Sequence, residues 1–314
     1  MRCKNLLLAI GLGVILPWLL LLTVEPVKQE QQYAEAETTE YLHQNIELPV
    51  LFEDGSVRIM NMTDYLQGVL MGEMPASFEM EALKAQAVAA RTFTAKSIYL
   101  SKHSNAAVCT SASCCQAFLT MEQYAQRGGR QQDVQRLRRA VEDTAGQVLY
   151  YEGELIVAAY FSCSGGRTED AVAVWGVDVP YLQATDSPGE EHATHYMDAV
   201  CFSVSEFEKI LNVDIAGGIG DYSYSDGGGV DQVRIGEEIF SGTELRRLLG
   251  LRSTAFTINI SGSEVEITTK GFGHRVGMSQ YGANAMAAEG HSYTEILQYY
   301  YKGAIIGQLD QMMV

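Results

Sequence analysis

The sequence has little positive charge. It contains 22 lysines and arginines against 39 aspartates and glutamates, and its formal net charge at pH 7 is -17. Proteins that bind nucleic acid carry a basic patch or stripe, because contacts with phosphates supply most of their affinity. The excess of acidic residues therefore excludes a protein-wide positive potential that would attract nucleic acid. The simplest explanation of this negative charge is that it keeps the protein soluble. Any anionic polymer that this chain handles must be held by local lysine and arginine side chains.

The chain also lacks a second long apolar run. Its first run is uncharged, follows Arg2 and Lys4, and extends to Leu22. A membrane-spanning helix needs about 20 mainly apolar residues. Positive charge before the run predicts a cytoplasmic amino terminus, and the absence of an A-x-A-like site directly after it favours an uncleaved anchor over a signal peptide. We predict a cytoplasmic end at residues 1–4 and a single transmembrane anchor at 5–24.

The segment after the anchor, residues 25–45, is polar and acidic and has no apolar stripe, which predicts a linker. Residues 46–314 are long enough to bury a large core outside the cytoplasm. Both hairpin and helix patterns occur there, so we predict an α+β fold in one or two subdomains. The first part, about 46–145, holds a helix pair and a cysteine loop, and a mixed sheet and helix part covers about 146–314.

Two helices with a break between them are predicted in residues 61–97. Thr63 or Asp64 can cap the first helix, because their side-chain oxygens accept hydrogen bonds from free N–H groups at a helix start. Pro75 ends this helix, since proline disfavours helical geometry in the residue before it. Ser77 can then cap the second helix, whose apolar residues follow helical spacing.

Glu73 lies at the break between these helices. A carboxylate in the last turn of a helix faces the negative end of the helix dipole, and Met71 and Met74 tend to desolvate it. Both effects raise the pKa, which suits a general acid near neutral pH. An arbitrary glutamate at a helix end is more often a solvated surface residue, so position alone does not assign a role.

A short loop rich in serine and alanine carries His103, Cys109, Cys114 and Cys115. Thiolate and imidazole are the donors that tetrahedral zinc prefers, although the spacing is not that of a standard zinc finger. A disulfide between Cys109 and either Cys114 or Cys115 is an alternative outside the cell, and free surface thiols are a third. Two other cysteines, at 163 and 201, can bridge or lie buried, and we expect both to be buried.

The remaining patterns predict further hairpins and helices along the chain. Hairpins are expected at 48–60, 148–161 and 255–269, and helices at 121–144, 205–211, 241–249 and 293–301. The second strand of the hairpin at 148–161 is almost continuously apolar, which predicts a central strand. A glycine-rich loop is predicted at 216–229.

Three strings of the sequence resemble the signatures of the stage II sporulation protein D family. The first is G-E-M-P-x-S-F with E-A-L-K-A-Q-A-V-A-A-R-T, within residues 72–92. The second is A-Y-F-S-x-S-G-G-R-T-E at 159–169, and the third is G-x-G-H-x-V-G-M-S-Q-Y-G-A at 271–283. The resemblance covers most of the chain outside 25–44 and 213–229.

The family is named for cell-wall lytic transglycosylases of spore-forming bacteria. The resemblance implies that Glu73 is the catalytic acid and then the base that closes a 1,6-anhydro ring on N-acetylmuramic acid. The sequence shows no obvious second catalytic acid, whereas ordinary glycosidases need two carboxylates. The residues implied to bind the glycan in a cleft are Lys84, Arg91, Tyr160, Ser164, Arg167, His274, Ser279 and Gln280.

The resemblance extends to the cysteine loop, where relatives carry C-x-x-x-x-H-C-Q and this chain has cysteine in place of that histidine. It implies a structural zinc ion held by His103, Cys109, Cys114 and Cys115. It also implies action on peptide-stripped glycan strands at the mother-cell membrane that engulfs the forespore. The implied partners are an amidase, stage II sporulation protein P, and other engulfment membrane proteins.

Two other functions stay open at this stage. The same family includes amidase enhancers, which would need the cleft but not Glu73. A zinc hydrolase is a weaker alternative, because four protein ligands leave no open position on the metal.

Overall fold

The structure is a computed structural model that describes residues 46–309, which form a mixed α+β fold. The helices are α1 (Met62–Glu73), α2 (Met80–Tyr99), α3 (Met121–Gln126), α4 (Gln131–Glu142), α5 (Ala171–Trp175), α6 (Val204–Leu211), α7 (Gly242–Leu249), α8 (Gln280–Ala288) and α9 (Tyr293–Tyr300). The strands are β1 (Glu47–Leu51), β2 (Val57–Asn61), β3 (Val108–Cys109), β4 (Gln147–Tyr151), β5 (Glu154–Leu155), β6 (Tyr160–Phe161), β7 (Met197–Ser203), β8 (Ile219–Tyr224), β9 (Val230–Ile235), β10 (Glu238–Ser241), β11 (Ala255–Ser261), β12 (Glu264–Lys270), β13 (Met278–Ser279) and β14 (Ile305–Gln308). The predicted α+β class is confirmed.

The predicted anchor at 5–24 and linker at 25–45 lie outside the described residues. Between residues 46 and 309, none of the helices has both the length and the apolar character needed to cross a bilayer.

The strands form small sheets around the helices. β1 pairs with β2 antiparallel and with β3 parallel. Three antiparallel sheets have the orders β14-β4-β5, β11-β12-β7 and β10-β9-β8. β6 and β13 form a parallel pair in which Tyr160 lies opposite Met278. This last pairing brings the second and third of the recognised strings side by side.

The helix pair α1 and α2 forms as predicted, but both helices begin at different residues from those expected. Asn61 caps α1, because its Oδ1 accepts a hydrogen bond from the Thr63 N–H at 2.8 Å. α2 follows Glu79 without a side-chain cap, so Ser77 does not serve as one. The alanine-rich α2 is buried on most of its surface, which lets α4, α8, α9 and β4 pack against it.

A hydrophobic core lies under α6 and α7, against the strands from β7 to β12. It includes Phe207, Val233, Leu245 and Ile267. The predicted loop at 216–229 is wrong, because β8 forms within it and pairs with β9. Its glycines indicated a loop, but cross-strand pairing with a bulged register outweighs that local preference. The hairpins at 48–60 and 255–269 and the helices near 205–211, 241–249 and 293–301 are confirmed.

Two other predicted elements are divided in the structure. The apolar run 154–161 contains two short strands, β5 and β6, which belong to different sheets, so it is not one central strand. The predicted helix at 121–144 is two helices, α3 and α4, separated at Gly128, whose φ of 87° is unfavourable for other residues. α4 nevertheless buries the expected stripe of Val134, Leu137 and Val141.

The start of α8 packs so closely that Gly282 has no room for a side chain. An added Cβ would lie 2.1 Å from both Ser187 Oγ and the Tyr300 hydroxyl. We expect Gly282→Ala to lower the free energy of unfolding by about 1–3 kcal/mol, the usual cost of overpacking a core. Urea unfolding measures this, with Gly220→Ala as a control because its nearest neighbour would lie at an ordinary 3.6 Å. Equal losses in both variants would contradict the packing argument.

Candidate active site

Glu73 lies at the end of α1 in a cleft of about 520 Å³. The cleft walls come from distant parts of the chain: α2, the cysteine loop, residues 157–162, the end of α5, and residues 272–274. Glu73 is the one carboxylic acid among the described residues that border this cleft. The cleft therefore has the size of a small-ligand site and contains a single candidate proton donor.

The carboxyl group of Glu73 is buried and hydrogen-bonded on both oxygens. Oε1 accepts from the backbone N–H of Ala117 at 2.7 Å, and Oε2 accepts from Gln280 Nε2 at 3.3 Å. Burial raises the pKa of Glu73 above its ordinary value, whereas the hydrogen bonds from the Ala117 N–H and from Gln280 Nε2 oppose this shift by stabilising the carboxylate. The direction of the shift agrees with the sequence-based expectation, and desolvation is its main cause.

Tyr160 lines the cleft and connects it to the core. Its hydroxyl donates to Gln116 Oε1 at 2.8 Å, and Gln116 Nε2 donates in turn to Thr94 Oγ1 at 3.1 Å. Burial raises the pKa of Tyr160 well above its ordinary value, so the phenol stays protonated. Gln116 and Ala117 directly follow the cysteine loop, which means that this loop places two groups around Glu73.

His274 also lines the cleft, packed between aromatic rings. Its ring centroid lies 5.6 Å from that of Phe161 and 5.5 Å from that of Trp175. Burial, together with the positive charge of Arg246, lowers the pKa of His274 to about 4. The imidazole is therefore neutral at neutral pH, and its Nδ1 accepts the Val276 N–H at 3.1 Å. A neutral ring in this position shapes the wall without adding charge.

Two basic residues that were predicted to bind substrate, Lys84 and Arg91, have partners within the fold. Lys84 Nζ lies 3.1 Å from Glu81 Oε1 and 3.3 Å from Asp143 Oδ2. Arg91 is buried, and its guanidinium donates to the backbone oxygens of Val141, near the end of α4, and Gln147, at the start of β4. Burial lowers the pKa of Arg91 to about 10. Both cations therefore have partners within the fold, and neither borders the cleft. Their contact with substrate stays a prediction.

Three further predicted ligands, Ser164, Arg167 and Ser279, also lie off the cleft. Ser164 Oγ donates to Glu190 at 2.8 Å, and the Arg167 guanidinium pairs with Asp186. Ser279 is buried as the cap of α8. These contacts hold the cleft walls together, and the assignment of the three side chains as sugar-binding groups stays a prediction. Of the eight residues predicted to bind substrate, the structure brings Tyr160, His274 and Gln280 together with Glu73.

Glu190 is a residue that the sequence reasoning missed. It is buried, and its Oε2 accepts hydrogen bonds from the backbone N–H groups of Ser164 and Gly165 at 2.7 and 3.0 Å. Its Oε1 accepts from Ser187 Oγ at 2.6 Å. The carboxylate thereby fixes the glycine turn that follows the cleft wall. The only signal in the sequence was an acid after a Pro-Gly pair, which alone is too common to identify it.

A buried ion pair joins the second and third strings. Arg275 Nη1 lies 3.1 Å from Glu169 Oε1, and the two side chains are only 3% and 1% exposed. Arg275 also donates to the backbone oxygens of Ser164 at 2.7 Å and Arg167 at 2.8 Å. Its φ of 66° is unusual for a residue with a side chain. We infer that these contacts hold that backbone geometry and thereby position the adjacent His274.

The cysteine loop brings its four candidate ligands together. Their donor atoms, from His103, Cys109, Cys114 and Cys115, all lie within 4.8 Å of one another. Zinc bound to sulfur at about 2.3 Å would hold tetrahedral ligands about 3.8 Å apart, so this spacing fits with a small contraction. The three thiols are not bridged in the structure. The group is near enough to hold a metal ion, as the sequence predicted.

The other two cysteines have different environments. Cys163 is buried, as expected, and its thiol donates to Glu190 at 3.2 Å. Cys201 is exposed on β7, which corrects the expectation that both are buried.

The amino-acid sequence is similar to known proteins over most of its length. A family model described as stage II sporulation protein matches residues 53–151. The chain is 38% identical to stage II sporulation protein D of Bacillus amyloliquefaciens over 266 residues, which cover 82% of this chain and 77% of the relative. It is 35% identical to the Bacillus subtilis protein of that name over 270 residues, covering 82% and 78%. It is also 32% identical to an amidase enhancer of Bacillus subtilis over 298 residues, covering 77% of this chain but 40% of the relative.

Proposed function

Because the chain belongs to the stage II sporulation protein D family, we propose that it is a lytic transglycosylase that cleaves peptidoglycan glycan strands during sporulation. The observation that carries this proposal is the buried carboxyl of Glu73, whose pKa is raised and which is the one carboxyl among the described residues that line the cleft. A carboxyl that keeps its proton to higher pH is suited to general acid catalysis.

The proposed reaction uses this one carboxyl group twice. Glu73 protonates the oxygen that links N-acetylmuramic acid to the next N-acetylglucosamine, and the bond from that oxygen to the muramyl C1 breaks. The muramyl 6-hydroxyl then bonds to C1, and its proton passes back to Glu73. The enzyme is regenerated, no water is consumed, and the product carries a 1,6-anhydro ring. A second carboxylate is unnecessary because the substrate supplies its own nucleophile.

The neighbours of Glu73 have distinct roles in this proposal. The Ala117 N–H and the Gln280 amide stabilise the carboxylate that forms when the proton leaves. Tyr160, neutral His274 and Trp175 shape the sugar-binding walls. The Trp175 indole is 42% exposed at the cleft, where an aromatic face can pack against a sugar ring.

We propose zinc as the ion held by His103, Cys109, Cys114 and Cys115, since sulfur and nitrogen donors suit it. When bound, the ion would cross-link the loop that ends at Gln116 and Ala117. Those two residues would then hold Tyr160 and Glu73 in place.

The proposed setting is the mother-cell membrane that engulfs the forespore, with residues 5–24 as the anchor and the catalytic region, residues 46–314, outside the cytoplasm. The substrate is glycan stripped of its peptides, supplied by an amidase partner such as stage II sporulation protein P. Neither partner nor substrate involves nucleic acid, in keeping with the acidic charge.

The alternative is an amidase enhancer, which is the name of one relative. Such a protein would bind the wall or an amidase without cutting glycan. Mass spectrometry of purified glycan strands incubated with the chain separates the two: fragments with 1,6-anhydro ends support the enzyme. Their absence, together with faster cleavage by an added amidase, would favour the enhancer.

The pH dependence of the reaction should report the carboxyl of Glu73. Because the acid must be protonated, kcat/KM falls as pH rises through its raised pKa. Gln280→Leu removes a hydrogen bond that stabilises the carboxylate, so the alkaline limb of the pH profile should move to higher pH. Gln232→Leu, at an exposed position of β9, is the matched control. A profile unchanged by Gln280→Leu would contradict the assignment of that limb to Glu73.

A further inference from the structure

A second concavity lies beside the cleft and has no part in the reaction above. Its volume is about 310 Å³, and we call it the tyrosine cavity, bordered by Lys96, Tyr151, Glu152, Glu154, Pro180 and Tyr181. The two tyrosine ring centroids lie 5.3 Å apart, with the rings tilted by 48°. Both side chains are partly exposed, so ring surface is available to a ligand.

The aromatic pair is held in place before any ligand arrives. The Tyr181 hydroxyl accepts the Val157 N–H at 3.0 Å, and the Tyr181 carbonyl accepts the Lys302 N–H at 3.2 Å. The ring of Tyr151 packs 3.3 Å from where a Cβ would stand at Gly303. A ligand that packs on these rings therefore loses little affinity to ordering them.

The tyrosine cavity and the cleft share a wall. Val157 borders the cleft, while the tyrosine that accepts its N–H borders the cavity. Phe93 borders the cleft and Lys96 the cavity, three residues further along α2. Residues at this spacing lie on one side of a helix, about 4.5 Å apart along its axis. The cavity therefore lies next to the cleft, with Val157 and one turn of α2 between them.

The charges around the cavity select the kind of sugar. Lys96 Nζ lies 3.9 Å from Glu154 Oε2, and the glutamate side chain is 81% exposed. Such a pair is weak, so both groups remain available to sugar hydroxyls. Glu152 adds a second negative charge, so the cavity carries two acids and one base and disfavours a ligand with a carboxylate.

We propose that the tyrosine cavity is a glycan subsite that binds an uncharged N-acetylglucosamine residue beyond the sugars held in the cleft. This inference rests on the proposed function, because it takes the glycan strand as the ligand. N-acetylmuramic acid carries a lactyl carboxylate when its peptide is removed, so the cavity admits the other sugar of the alternating strand. It thereby fixes the register in which the strand meets Glu73.

The test is a binding measurement with the full chain carrying Glu73→Gln, so that no substrate is cleaved. Titration calorimetry with N-acetylglucosamine oligomers of increasing length should show affinity rising with length. Adding Tyr151→Ala should lower the affinity for long oligomers about tenfold, which corresponds to the loss of one aromatic contact. Lys96→Met, which keeps the side-chain stem, should weaken long oligomers about fivefold through one lost hydrogen bond.

Tyr151→Phe should keep the rise, and Tyr224→Ala, in an exposed tyrosine pair on β8, should leave it unchanged. Melting temperatures of the variants show whether each one folds. Length-dependent binding that survives both Tyr151→Ala and Lys96→Met in folded protein overturns the subsite and leaves the proposed function standing. Failure of every oligomer to bind, together with absent anhydro products from the wild type, overturns both.

Discussion

Glu73→Gln is expected to slow the formation of anhydro-ended glycan fragments by about 10²–10⁴-fold, the usual contribution of a general acid. The amide has nearly the same shape and can still accept from the Ala117 N–H, but it has no acidic proton to donate. Mass spectrometry of digested strands measures the loss. Glu142→Gln is a matched control, because Glu142 also ends a helix but is exposed and pairs with Arg138.

The same variant has a predictable effect on stability. The folded protein holds the Glu73 proton to higher pH than the unfolded chain, because burial raises the pKa. The carboxyl therefore favours folding below its ordinary pKa, and this contribution is lost as pH rises through the raised value. Glu73→Gln should melt at a higher temperature than the wild type above that pKa and at a similar one in acid.

These two measurements together distinguish a catalytic role from a structural one. A variant that is inactive because it is misfolded would melt earlier at every pH. A variant that forms anhydro ends at the wild-type rate would exclude Glu73 as the acid, and the amidase enhancer would then be the better proposal.

Local sequence patterns predicted what is local in this fold. Capping residues and helical spacing identified most helices, and turn residues identified hairpins. The break before Pro75 correctly ended α1 at Glu73. The glycine-rich stretch at 216–229 was misjudged, because its glycines indicated a loop, whereas residues 219–224 form a strand by pairing with β9 across a short turn. Secondary structure of this kind depends on tertiary pairing more than on propensity.

The site was predictable to the extent that motifs place residues near each other, but motifs do not say which way side chains point. Tyr160 and Ser164 lie in one string, yet one lines the cleft and the other bonds to Glu190. Arg91 donates to backbone carbonyls about fifty residues further along the chain. Local sequence patterns do not predict contacts at such a sequence separation. Charged residues in a recognised string can therefore support the fold rather than bind the substrate.

The second large effect is expected from removal of the zinc ion that we propose for the cysteine loop. Structural zinc sites in small domains contribute about 10–16 kcal/mol of apparent binding free energy at pH 7, which is linked to folding of the ligands around the ion. β3 ties Cys109 to β1, whereas Cys114 and Cys115 follow in a serine- and alanine-rich stretch that forms neither helix nor strand. We therefore expect a chelator to lower the melting temperature sharply and to abolish glycan cleavage.

Loss of activity should follow from geometry, since the loop carries two groups that organise the cleft. Gln116 accepts from the Tyr160 hydroxyl, and Ala117 donates to Glu73 at 2.7 Å. Cys115→Ser should therefore lose both zinc and activity, whereas Cys201→Ser, at an exposed thiol on β7, should keep both. Elemental analysis of protein purified without added metal measures the ion directly. If the metal-free protein is active and thiol titration finds Cys109 bridged to a neighbouring cysteine, the zinc site is contradicted. A disulfide would then hold the loop in place of the ion.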